Sequence, residues 1–79
     1  MKVRPVLMAG QNQIGKAGVA LGAELDREKG VVTLGNEPAT VGVIVDAGDD
    51  VKSVRIMVFD AENEAILYQS SDIPLKLAF

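Results

Sequence analysis

Cysteine, histidine and tryptophan are all missing from this 79-residue chain. Without cysteine there is no disulfide to staple a small core and no thiolate to hold a metal. Without histidine, imidazole-based general acid–base catalysis and His-ligated zinc are excluded. Aromatic residues are scarce, two Phe and one Tyr, and none interleaves with basic residues as a base-stacking platform would. The net charge is −3, and the Lys and Arg residues are scattered singly, so no footprint for a nucleic-acid backbone emerges. No apolar run approaches the ~18 residues that would span a membrane as a helix. Lys2 and Arg4 are followed by no sustained apolar core of the kind a secretory leader carries.

What is present is small and aliphatic. Hydrophobic residues make up 48% of the chain, mostly Val and Ala, as in a β domain with a thin core. The length fits one domain, which would bury roughly 60% of its unfolded surface and be marginally stable. Oligomerisation or docking on a partner is then a natural source of extra stability.

The best-patterned stretch is residues 52–68. Val54, Ile56 and Val58 alternate with Ser53, Arg55 and Met57, the period of a half-buried strand. Asp60-Ala61-Glu62-Asn63 reads as a tight turn, with Asn63 in the left-handed conformation. A three-residue loop would set Val58 opposite Ile66 and Ile56 opposite Tyr68, collecting Val54, Ile56, Val58, Ile66 and Tyr68 on one face. Met57, Phe59 and Leu67 lie on the other face, as a second core layer or as a patch that docks a partner.

Residues 2–8 look like a strand. Pro5 cannot donate to a ladder, which predicts an edge strand or an arm. Residues 9–18, with three glycines, read as a loop, so an N-terminal arm is expected over 1–18 and a β domain over 19–79. Residues 15–29 allow a helix, which would make the fold α+β. Gly18 and Gly22 would each cost that helix ~1 kcal/mol. The favoured reading is a hairpin around Asp26–Gly30, with Leu25 opposite Val32, Glu24 opposite Thr33, Ala23 opposite Leu34 and Gly30 left-handed. Residues 40–46 form a strand with Val41, Val43 and Val45 on one face, and residues 73–79 a possible last one. Seven or so short strands between regular turns predict an all-β, antiparallel, small sandwich or barrel.

Two motifs suggest chemistry. Gly10-Gln11-Asn12-Gln13-Ile14-Gly15-Lys16 fits the phosphate-cradling G-x-x-x-x-G-K, with Gly10, Gly15 and Lys16 as the binding residues. Position 17 is Ala where a Mg²⁺-binding hydroxyl belongs, and the chain is too short for the parallel sheet that presents such a loop. Asp46, Asp49 and Asp50 around Gly48 supply oxygens that calcium could use, but without EF-hand spacing. Acidic residues in turns more often bond their own backbone. Neither motif displaces the expectation of a chain with no cofactor and no metal.

Two stretches resemble flagellar hook-capping proteins. Gln11–Lys16, QNQIGK, is similar to a Q-x-x-x-I/L-I/V-G-K/R segment of that family with a shortened gap. Residues 53–67, SVRIMVFDAENEAIL, are similar to the hairpin of its immunoglobulin-like or fibronectin-like domain, with Asn63 where the family has glycine. The resemblance implies that fold type and an assembly role. The resulting expectation is a non-enzymatic module that docks to itself or to a larger assembly, such as a virion accessory or decoration layer or, alternatively, an appendage component. A small phosphate- or nucleotide-binding domain is the reading of a different class. A virion or extracellular structure is favoured over the cytoplasm. Val3, Leu7, Met57, Phe59, Leu77 and Phe79 are the candidate docking residues.

Overall fold

The structure is a computed structural model that describes residues 1–45, 48 and 50–75. Eight strands follow one another: β1 (Lys2–Ala9), β2 (Asn12–Leu21), β3 (Glu24–Asp26), β4 (Val31–Thr33), β5 (Thr40–Val45), β6 (Ser53–Asp60), β7 (Ile66–Gln69) and β8 (Ile73–Pro74). Every pairing is antiparallel. The expected all-β, antiparallel class is what forms, with no helix among the described residues.

β1 is the hub. One of its edges pairs with β6 from Val3↔Asp60 to Met8↔Arg55. Its other edge is shared, first by β4 at Lys2 and Val3, then by β2 from Val6 to Ala9. This overturns the expectation that Pro5 marks an edge strand or arm. The reason lies in the alternation of backbone groups along a strand. The Lys2 carbonyl accepts from Ala61 N–H on the β6 side (3.0 Å), whereas the Met1 carbonyl accepts from Leu34 N–H on the β4 side (2.8 Å). Carried along the strand, this turns the nitrogen of Pro5 toward the shared edge, at the gap where β4 has ended and β2 has not begun. The missing N–H costs no ladder bond there, so a proline sits buried in a central strand.

Residues 9–18 are likewise not a loop. Gly10 and Gln11 form a two-residue turn, and Ala9 pairs with Asn12 directly across it. Gly10 has φ +61°, the conformation that glycine supplies at the first central position of a type II′ hairpin turn. β2 then runs on and pairs with β5 along its far edge. A continuous path β7-β6-β1-β2-β5 results.

The β3–β4 hairpin forms as its sequence pattern predicts, and the helix alternative for residues 15–29 does not. Leu25 pairs with Val32 and Glu24 with Thr33. Gly30 is left-handed at φ +68°, and its N–H bonds the Asp26 carbonyl at 2.8 Å. The hairpin covers the inner face of β2 and β5. Val3, Ala17 and Val32 form the buried cluster, with Ala23, Leu25, Leu34, Val41 and Val58 packed around it. Val6, fully buried, faces Met57 across the β1–β6 ladder.

The β6–β7 hairpin forms with a different register. Val58 pairs with Tyr68 and Phe59 with Ile66, around an irregularity between Val58 and Phe59. The turn is longer than three residues. Asp60 N–H bonds the Ala65 carbonyl and Glu64 N–H bonds the Asp60 carbonyl, both at 2.8 Å. The left-handed residue is Glu64 at φ +61°, not Asn63. Asn63 instead accepts the Ala65 N–H on its Oδ1 at 2.9 Å. Ile66 and Tyr68, expected in the core, are exposed in consequence.

Two substitutions test this arrangement. Val6→Ala removes two buried carbons from the centre of the sheet and is expected to cost about 2 kcal/mol, lowering the urea midpoint without changing its slope. Asn63→Gly forfeits the turn hydrogen bond and gains no relief of strain. Thermal unfolding should show a loss of about 1 kcal/mol, where a left-handed Asn63 would have made the same change neutral or stabilising.

Candidate functional site

The phosphate-loop residues are drawn into the sheet. Gly10 occupies the β1–β2 turn, while Gly15 and Lys16 lie inside β2, paired to Leu7 and Val6 on one side and to Val45 and Ile44 on the other. Their backbone groups serve ladders, and no helix N-terminus follows. The Lys16 ammonium donates to the Glu28 carbonyl at 3.0 Å, and its stem packs on Gly30. Gly15 has a structural reason to be glycine: a Cβ there would lie 2.7 Å from the Ile44 carbonyl oxygen of β5.

Of the acidic trio, Asp46 and Asp49 lie outside the described residues, and Asp50 is exposed beside the β1–β2 turn. Among the described residues no three carboxylates gather where a metal ion could be held. The acids of the β6–β7 turn have local duties. Asp60 Oδ1 accepts the Glu62 N–H at 2.9 Å. Glu64 forms an ion pair with Arg4, whose guanidinium lies over the Phe59 ring, 4.8 Å from its centroid.

The candidate docking residues divide. Val3 and Met57 are core residues, 5% and 7% exposed, because β1 and β6 are central strands; neither can present its side chain to a partner. Leu7 and Phe59 are half-buried, and Phe59 is covered by Arg4. Leu77 and Phe79 lie outside the described residues.

The apolar surface that is free lies elsewhere, at the two ends of the continuous sheet. Among the described residues β5 pairs only with β2, and β7 only with β6. On the outer face of β2 and β5, Leu21 and Ile44 are each 69% exposed and Val19 is 48% exposed. Glycines opposite them make room. The Ile44 side chain lies over Gly18, and that of Val19 lies over Gly42, its cross-strand partner. Beside Ile44 is a hollow of about 450 Å³, walled by Ile14, Ala17 and Gly18 and flanked by Lys16 and Arg27. At the other end Ile66, Leu67 and Tyr68 are all exposed.

The sequence pattern pointed to Leu67 as part of a possible docking patch, placed Ile66 and Tyr68 in the core, and did not single out the β2–β5 face. Of the alternating residues Val41, Val43 and Val45, expected on one face, Val41 and Val43 are half-buried and Val45 is exposed. The signal that could have found the β2–β5 face is the absence of polar residues at the intervening positions: Gly42 and Ile44 in β5, Gly18 and Val19 in β2.

Compared with known proteins, the chain matches no protein-family model, no curated protein and no solved structure. A reading of function therefore rests on the chain's own surfaces. The role of Gly15 is open to direct test. Gly15→Ala is expected to destabilise by roughly 1–3 kcal/mol as β2 and β5 are pushed apart, with faster amide exchange in residues 40–45. Lys16→Ala, at an exposed side chain, should stay within about 0.5 kcal/mol.

Proposed function

We propose that this chain is a non-enzymatic structural domain that works by docking, either to copies of itself or into a larger assembly such as a virion accessory layer or an appendage. The observation that carries this reading is the pair of unguarded sheet edges. β5 (Thr40–Val45) and β7 (Ile66–Gln69) contain no charged residue and no proline, the devices by which sheet proteins usually block further pairing. Among the described residues each edge has unpaired backbone groups beside exposed apolar side chains, the combination that strand addition uses: main-chain bonds for affinity, side-chain contacts for selectivity.

The thin core supports the same reading. Among the described residues only Val6 and Val32 are large side chains with essentially no exposure. No disulfide is available to compensate, and a domain of this size gains from surface that a partner covers. An interaction that buried Leu21, Ile44 and Val19, or Ile66 and Leu67, would recover apolar surface that the monomer leaves in water.

Light scattering over a range of concentrations tests the self-docking form. The mass is expected to rise above the 8.3 kDa of one chain. Ile44→Lys or Leu67→Lys should return it toward the monomer while the thermal midpoint moves by only a few degrees. A mass fixed at one chain up to the solubility limit would eliminate docking to itself and leave only a different partner.

A further inference from the structure

The hollow beside Ile44 carries a feature that exposure alone does not. Its walls are apolar, its two charged lining residues are Lys16 and Arg27, and no carboxylate is among the lining residues. Lys16 is engaged through the Glu28 carbonyl, and Arg27 is an exposed residue of the β3–β4 turn. In a chain of net charge −3, a cationic, apolar depression of this kind selects an occupant that is acidic and apolar together.

The same chain presents such an object at the opposite end of its sheet. The β6–β7 turn carries Asp60, Glu62 and Glu64 and leads directly into the exposed Ile66 and Leu67. Glu64 is committed to Arg4, and Asp60 to the Glu62 backbone. The Glu62 side chain is exposed at the apex of the turn. The hollow lies against β2 and β5, and the tip projects beyond β6 and β7, so the sheet separates them within one molecule.

We infer that the β6–β7 tip of one copy docks in the Lys16/Arg27 hollow of the next, Glu62 meeting Arg27 while Ile66 and Leu67 cover Ile14 and Ile44. This rests on the self-docking reading above and specifies it. The contact joins two different surfaces, so each copy retains a free hollow and a free tip. Such an interface propagates into a ring if its rotation closes and into a filament if it does not.

Charge exchange tests it, with sedimentation velocity of the full chain as the readout. Arg27→Glu and Glu62→Arg both alter exposed residues outside the core, and circular dichroism verifies that each folds. Each variant alone places like charges at its own contact and should weaken association by about tenfold or more. Mixed in equal amounts they should associate again, because every contact between the two variants pairs opposite charges. Recovery in the mixture, absent from either variant alone, is the expected result, and a general effect of net charge would not produce it in this pattern. Wild-type association that both substitutions leave unchanged, or that both abolish without recovery on mixing, would overturn the tip-in-hollow contact while leaving docking through the strand edges intact. A wild-type chain that remains a monomer throughout would overturn the contact and self-docking together.

Discussion

The structure depends on the double pairing of β1. An antiparallel strand satisfies its backbone groups alternately to left and right, and β1 finds partners on both sides with three different strands. That arrangement buries both Val3 and Val6, an odd three positions apart, so that their side chains point to opposite faces. It also determines where everything else can go. β4 ends where Pro5 offers no N–H, β2 begins just beyond it, and the β3–β4 hairpin is left to fold over the inner face of β2 and β5. Among the described residues β7 and β8 pair only with β6, so the β1–β6 ladder is what joins them to the rest of the sheet.

Most strands were legible from the sequence because apolar β-branched residues recur between turn signals, but the first part of β2 was not, since its glycines read as a loop. The β3–β4 register was legible as well, for a local reason. Asp26 and Gly30 enclose a loop closed by two local hydrogen bonds, from Gly30 N–H to the Asp26 carbonyl and from Lys29 N–H to the Asp26 Oδ1. The β6–β7 register was not legible, because nothing in Asp60–Ala65 distinguishes a three-residue loop from a longer one. The choice is made by a bond from Glu64 N–H back to Asp60 and by Arg4, a residue sixty positions away, which holds the Glu64 side chain. The place of β1 was misread for a related reason. Pro5 is a reliable sign of an edge only when the partner strand is continuous, and here the partner changes at that residue.

The candidate docking residues illustrate the same limit. Treating the N-terminal segment as an arm made Val3 an exposed side chain; as part of the central strand it is core. An exposed apolar patch was one of two alternatives for Met57, Phe59 and Leu67, whereas the exposed apolar surface is set by which strands are terminal in the sheet. Strand order is set by long-range pairing that no local pattern records. The glycines of β2 had been read as loop formers or helix breakers. In the sheet they are the flat ground over which Ile44 and Val19 lie, and Gly15 permits close approach of two backbones.

The pairing of β1 with β6 also has a consequence in time. The chain emerges from the ribosome N-terminus first, and the β1–β2 hairpin, closed by a two-residue turn, can form as soon as it is clear of the exit tunnel. Its other edge has no partner until the second half of the chain has been made. Through that interval the strand that will become the most protected in the molecule is a bare edge, carrying Val3, Val6 and Leu7 beside unbonded amides. Contacts so distant in sequence form slowly, and unpaired edges are where chains associate wrongly. For that interval the nascent chain presents a strand edge that the finished fold covers.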